Sequence, residues 1–207
     1  MSKIVEHIHW LGHDSFRIDG PVTIYVDPWK LPAGAPQADL ILITHDHFDH
    51  CSPEDVEKIR KADTVVVTIA AAAKQLKGNV QVVKPGDKLT VKGIPIEAVS
   101  AYNVNKKFHP KNAGHVGFIF TVAGQRIYHT GDTDFIPEMK GFQVDIALLP
   151  VSGTYVMTAD EAVQAAQAIN PKTAIPMHYG EIVGDKADAE RFRELYTGET
   201  VILPLEK

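Results

Sequence analysis

Leu40-Ile41-Leu42-Ile43-Thr44-His45-Asp46-His47-Phe48-Asp49-His50 decides how this chain is read. Four aliphatic residues in a row, with no polar alternation, describe a strand covered on both faces. Immediately beyond it, four potential metal ligands, His45, His47, Asp49 and His50, lie within six residues. Ser52-Pro53-Glu54-Asp55 then offers a helix N-cap, a proline at the first helical position and two acids in the first turn. Strand, polar loop and helix in succession is the pattern of α/β proteins, which gather ligands beyond the carboxyl ends of their strands. Alternate side chains of such a loop splay apart, so His45 and His47 can meet one ion while Asp49 and His50 turn toward a second.

Two later stretches repeat the arrangement. His129-Thr130-Gly131-Asp132-Thr133-Asp134 follows the β-like run Arg126 to Tyr128, and its glycine permits a tight turn that aims a carboxylate. Each oxygen of Asp132 has a free lone pair, so this residue is a candidate bridge between two cations. Ile175-Pro176-Met177-His178-Tyr179-Gly180 delivers a histidine to the end of an extended apolar stretch. Singly, a Gly-Asp turn is ordinary and a lone buried histidine is most often a hydrogen-bonded core residue. Three such stretches at strand ends favour one shared site.

The remaining pattern is mixed α and β. Strands are expected over Val22 to Val26, Thr64 to Thr68, Val80 to Val83, Ile94 to Val99, Val116 to Val122 and Ile146 to Leu149. Thr158 and Glu161 form a capping-box pattern ahead of Ala159, Ala162, Val163, Ala166 and Ile169 at helical spacing. A further helix begins at Asp185 or Asp188, and a short one covers Ala70 to Leu76. No repeat, linker or low-complexity tract interrupts the chain, so one domain over residues 1–207 is expected.

Composition narrows the function classes. The chain has 207 residues and a net charge of -5, which disfavours a role built on affinity for nucleic acid. Its single cysteine, Cys51, cannot form an internal disulfide or a thiolate-rich zinc site, and reads as a small buried filler. Glu6, His7 and His9 interrupt the only apolar stretch near the N-terminus, and no segment has the length of a membrane span, so a cytoplasmic location is expected. Ten histidines are the unusual count, because histidine is both the commonest metal ligand and the usual proton carrier near neutral pH.

The order THDHFDH, GDTD and MHYG, spread over nearly the whole chain, resembles the metallo-β-lactamase superfamily. Gly12-His13-Asp14-Ser15-Phe16 and Asp27-Pro28 are most similar to the branch containing ascorbate-6-phosphate lactonase and many metal-dependent hydrolases. The resemblance implies an αββα sandwich of two mixed sheets with outer helices. It implies that His45 and His47 hold a first metal, that Asp49, His50 and His178 hold a second, and that Asp132 bridges the two. A further histidine of the first site falls on His109 by its loop context after Lys106-Lys107-Phe108, with His115 and Asn103 as alternatives. β-Lactam-hydrolysing relatives usually carry cysteine where Asp132 stands, which argues against antibiotic hydrolysis. His13 is expected to border the pocket as a substrate contact or outer donor, and Asp49 to relay a proton.

The expected cofactors are two divalent ions, zinc first, with manganese or iron as alternatives. A hydroxide shared between them would attack a small ester, lactone or phosphodiester. Lys106, Lys107 and Lys111 raise the alternative of an anionic substrate, including a lipid or short nucleic acid phosphodiester; a metal-holding sensor without turnover is the reading from another class. The expected partner is thus a small molecule, with no membrane partner, and homo-oligomerisation is left open. Tyr155 and Tyr179 are read as packing residues, and His7 and His9 as exposed groups on an N-terminal strand.

Overall fold

The chain builds its two sheets one after the other, six strands in each. The computed structural model describes residues 3–206. After a 3-10 turn over Lys3–His7, the first sheet takes β1 (Ile8–Gly12), β2 (Ser15–Asp19), β3 (Thr23–Val26), β4 (Ala38–Ile43), β5 (Arg60–Thr68) and β6 (Asn79–Val82) in sequence order. The second takes β7 (Lys88–Val91), β8 (Ile94–Ser100), β9 (Val116–Val122), β10 (Gln125–His129), β11 (Ile146–Pro150) and β12 (Thr173–Met177), again in order from one edge to the other. Each sheet begins with antiparallel neighbours, β1 to β3 and β7 to β10, and is completed by parallel ones, β3 to β6 and β10 to β12.

Parallel pairs require crossovers, and α-helices supply those of β4 to β6 and of β11 to β12, while β3 reaches β4, and β10 reaches β11, without one. α1 (Pro53–Ile59) joins β4 to β5, α2 (Ala70–Ala73) joins β5 to β6, and α3 (Ala159–Ile169) joins β11 to β12. α4 (Lys186–Leu195) follows β12 and packs on α3 and β12. α1 starts where its sequence signals place it: Ser52 accepts a hydrogen bond from the Asp55 amide at 3.3 Å. α3 has its capping box formed, Thr158 to Glu161 in both directions, and α4 is capped by Asp185 with Asp188 as the reciprocal partner. The helix expected over Ala70 to Leu76 is a single turn. It has no side-chain cap and buries only Ala72, too little to hold further turns.

Apolar side chains of both sheets form one continuous core. Leu40 to Ile43 and Ile146 to Leu149 are fully buried, as their unalternating sequence requires. Two mixed sheets with helices against them make the αββα sandwich. His7 ends the 3-10 turn rather than lying on a strand, and His9 is not simply exposed. The chain's last residues return along β1, where the Glu206 amide bonds the Trp10 carbonyl at 2.8 Å, so His9 sits between Asp19 at 3.1 Å and Glu206 at 2.6 Å. No helix among the described residues is long and apolar enough to cross a membrane.

Topology decides where the motifs meet. In the first sheet β1, β3 and β4 run in one sense, and in the second β8, β10, β11 and β12 do. Every candidate motif follows one of these strands, so all emerge at one end of the sandwich. Two backbone hydrogen bonds join the sheets there, His178 to the His13 carbonyl at 3.1 Å and Val116 to the Thr44 carbonyl at 3.2 Å.

Candidate metal centre

Outer hydrogen bonds fix how the histidines face. Asp27, at the end of β3, accepts from the Thr44 amide at 2.8 Å and from its hydroxyl at 2.6 Å. The Thr44 hydroxyl proton is thereby committed, so its oxygen accepts from His45 Nδ1 at 3.0 Å. Asp27 also accepts from His50 Nδ1 at 2.8 Å. Asn103 Oδ1 accepts from both the His109 amide at 3.0 Å and His109 Nδ1 at 3.2 Å, while its amide nitrogen donates to the Tyr155 carbonyl at 2.8 Å. Ser152 donates to the Thr154 carbonyl and accepts from His178 Nδ1 at 2.8 Å. In each of these four histidines Nδ1 is held by an outer partner and Nε2 faces inward, the orientation found in metal-ligating imidazoles.

The inward atoms fall into two neighbouring groups. His45 Nε2 and His109 Nε2 lie 3.0 and 3.3 Å from His47 Nδ1. His50 and His178 converge with His13 in one candidate metal group, and with Asp14 and Asp132 in another. Asp49 Oδ2 adjoins this second group, 3.8 Å from His50 Nε2 and 3.2 Å from His13 Nε2. Asp132 stands between the groups, 3.3 Å from His109, 3.4 Å from His50 and 3.4 Å from His178. Asp132 can take this place because Gly131 lacks a Cβ, which would come within 3.0 Å of Thr44 Cβ and the Val116 carbonyl. The backbone is held under strain as well: His13, Asp27, Tyr155 and His178 have φ of 52°, 46°, 70° and 61°, a region non-glycine residues avoid.

The electrostatics of the two groups follow from burial and from their mutual charges. Burial lowers His45 well below the usual histidine range and lowers His109, leaving both neutral with lone pairs available. Burial would raise Asp132, yet His178 and His50 beside it hold its carboxyl well below the usual range. Burial likewise opposes charge on His50, but Asp132 and Asp27 outweigh it and raise its pKa. Asp14 is fully buried, and burial together with the Asp132 charge pushes it well above the carboxylate range. Both Asp14 oxygens, His50 Nε2 and Asp132 Oδ1 are buried without a hydrogen-bond partner. Buried polar atoms left without partners are costly, and a cation ligated by these groups would satisfy several at once.

Of the residues singled out in the sequence, His45, His47, Asp49, His50, His109, Asp132, His178 and His13 are brought together. Asn103 is not a rival to His109 but the residue that orients it. His115 stacks on His45 with its Nε2 3.7 Å from Asp46 Oδ1, outside both groups, and burial lowers its pKa to about 4. Asp27, Asp14 and Ser152 join the site without standing in any of the three ligand motifs. Asp14 adjoins His13 in sequence, which was its available signal; the others are joined to the site only by tertiary hydrogen bonds. Lys106 is not free to receive an anion, since Asp134 holds its Nζ at 2.6 Å and Lys111 is paired with Glu138 at 3.0 Å. Tyr155 is half-buried in the wall of a cleft of about 460 Å³ above the two groups rather than in the core. Tyr179 packs against Trp10 with ring centroids 4.7 Å apart, and Cys51 is buried with its thiol pushed up to about 12 by burial.

A two-sheet sandwich with paired histidine and aspartate groups at the carboxyl ends of its strands defines a class of metal-binding α/β protein. The chain belongs to the metallo-β-lactamase superfamily: residues 7–178 match the family model described as a beta-lactamase superfamily domain. It is 36% identical over 215 residues to the UPF0173 metal-dependent hydrolase Ta0764 of Thermoplasma acidophilum, covering 95% of this chain and 94% of that protein. To the UPF0173 metal-dependent hydrolase PYRAB05000 of Pyrococcus abyssi it is 34% identical over 218 residues, covering 96% and 95%. Among solved structures, a proposed metal-dependent hydrolase of Parabacteroides distasonis superposes with a TM-score of 0.84 at 36% identity, covering 96% of this chain and 93% of that one. Igni18, a metallo hydrolase of Ignicoccus hospitalis, shares the fold with a TM-score of 0.78 at 21% identity, covering 97% and 95%.

Proposed function

We propose that this chain is a hydrolase that holds two divalent cations and cleaves a small ester, lactone or phosphodiester. The observation that carries the reading is the convergence of inward-facing histidine and aspartate ligand atoms from both sheets on two adjoining groups. His45, His47 and His109 would hold one cation, Asp49, His50 and His178 the other, and Asp132 would touch both. Nitrogen and oxygen donors without thiolate suit zinc, and also manganese or iron. When bound, such a pair supplies Lewis acidity that lowers the pKa of water and polarises the oxygen of the bond under attack.

The chain's own side chains account for the rest. Asp49 lines the cleft, and one of its oxygens is held 3.2 Å from His13 Nε2. Burial opposes charge on Asp49, but His13 beside it and the nearby His50 keep its pKa below the usual value, so at neutral pH it is an acceptor. It is placed to take the proton that attacking water gives up and to return it to the leaving group, while His13 fixes its orientation. The relatives' designation as metal-dependent hydrolases supports this assignment of reaction class.

Metal analysis of the purified chain, coupled to a panel of esters, lactones and phosphodiesters with each metal restored, tests it. The wild type should hold two equivalents and hydrolyse a member of the panel, and Asp132→Ala and His47→Ala should lose both metal and turnover. Unchanged metal content in both variants refutes the ligand assignment. Full loading with no turnover on any panel member would leave a metal-holding protein and refute the hydrolase.

A further inference from the structure

The cleft above the metal centre has a polar floor and an apolar wall, and the wall comes from four separate loops. Phe48 follows β4, Phe108 lies between β8 and β9, Tyr155 between β11 and α3, and Ile182 between β12 and α4. Phe48, Phe108 and Ile182 are 68%, 56% and 41% exposed, the reverse of where large apolar side chains normally lie. They are not loosely scattered. The Phe108 ring meets Tyr155 edge-on with centroids 4.5 Å apart, and Phe48 meets Trp29 edge-on at 6.0 Å. Tyr155 is held at φ 70°, and its carbonyl takes the Asn103 amide that orients His109, so wall and metal-facing histidine are built as one unit.

Charge distinguishes what fits against this wall. No lysine or arginine lines the cleft among the described residues; its acidic lining is Asp46, Asp49 and Asp132. Lys106, 18% exposed, lies against Asp134, and Lys30 is paired with Glu181 at 2.7 Å. The part of a substrate lying beyond the reacting bond therefore meets apolar surface with no cation to bind a phosphate or carboxylate. A cleft of about 460 Å³ is of a size that encloses a small organic molecule.

Resting on the hydrolase reading above, we propose that the substrate is a carboxylic ester or lactone carrying an uncharged, apolar acyl chain or ring, seated by Phe48, Phe108, Tyr155 and Ile182. In the reaction, water adds to the carbonyl carbon and the acyl C–O bond breaks. One proton of the water goes to the departing alkoxide and the other is released as the product acid ionises. The wall supplies binding of the chain and no proton.

The test follows chain length in the metal-reconstituted protein by two readouts. Calorimetric binding of acetate, butyrate, hexanoate and octanoate measures the wall without turnover, and kcat/KM for p-nitrophenyl acetate through octanoate measures it during the reaction. Each methylene buried should improve both by roughly threefold to fourfold until the cleft is filled. Phe48→Ala and Phe108→Ala should flatten both slopes. These side chains are exposed, so loss of fold is not the expected result, and metal content and circular dichroism verify this. Flat slopes in the wild type, or slopes that neither substitution changes, overturn the proposal. A dimer by light scattering that Phe48→Ala and Phe108→Ala dissociate, with flat slopes, would assign the wall to a second copy and also overturn it. Chain-length-dependent binding without turnover of any ester refutes the hydrolase reading alone, whereas ester turnover with flat slopes refutes the apolar substrate alone.

Discussion

Asn103 does for His109 what Asp27 does for His50 and Thr44 for His45: it holds Nδ1 so that Nε2 faces inward. Its amide cannot turn over, because its oxygen accepts twice from His109 while its nitrogen donates to Tyr155. Asn103→Ala leaves the His109 amide and ring proton buried without these acceptors and frees the ring to rotate. Outer partners of ligating histidines are typically worth about 10–100-fold in metal affinity. We therefore expect Asn103→Ala to weaken one of two calorimetrically resolved zinc sites by about tenfold or more, while the site containing His50 and His178 stays filled. Equal affinities in wild type and variant would remove Asn103 from the metal centre. The example shows why a sequence can name a ligand position and miss its supporting residue. Asn103 and His109 both stand in a loop without periodicity, and which one faces inward depends on Tyr155, far along the chain.

Helix α3 was legible because its signals are local. Thr158 accepts from the Glu161 amide at 3.2 Å, and Glu161 returns a bond to the Thr158 amide at 2.8 Å. Its buried face, Ala159, Ala162, Val163, Ala166 and Ile169, repeats at the spacing visible in the sequence. Loss of such a cap costs about 1 kcal/mol. In a chain of this size that corresponds to a melting temperature lower by about 2–4 °C, so Thr158→Ala should show that decrease in calorimetry. No decrease would mean that the cap contributes nothing beyond the packing of α3 on β11 and α4. The buried runs of β4 and β11 were equally plain, since unbroken aliphatic residues admit few placements. Other elements left weaker traces. The four-residue strand β7 and the truncated α2 are too short to show a decisive period, and the return of the C-terminal residues along β1 joins segments nearly the whole chain apart. Likewise the clustering of His45, Asp132 and His178 followed from three local strand-end motifs, while Asp27, Asp14 and Ser152 entered through contacts between loops.

At the scale of the molecule, the site is also the seam between the sheets. The first sheet supplies His45, His47, Asp49 and His50, and the second supplies His109, Asp132 and His178, with two backbone hydrogen bonds crossing beside them. That seam carries strain at His13, Asp27, Tyr155 and His178, a burden of about 1–3 kcal/mol each, and it buries polar atoms without partners. Cations bound there would join the two halves of the sandwich and occupy those unpartnered groups, so ligation and folding should be thermodynamically linked. A ligand present at a hundred times its dissociation constant stabilises the folded state by about 2.7 kcal/mol per site. For a chain of this length that is a rise of about 5–11 °C in melting temperature for one site. Zinc or manganese added to the chelator-treated chain should produce it, an excess of chelator should reverse it, and Asp132→Ala should diminish it because that carboxylate faces both groups. A melting temperature indifferent to metal at saturating concentration would mean that the inward-facing histidines and aspartates do not bind ions across the seam, and the proposed chemistry would lose its physical basis.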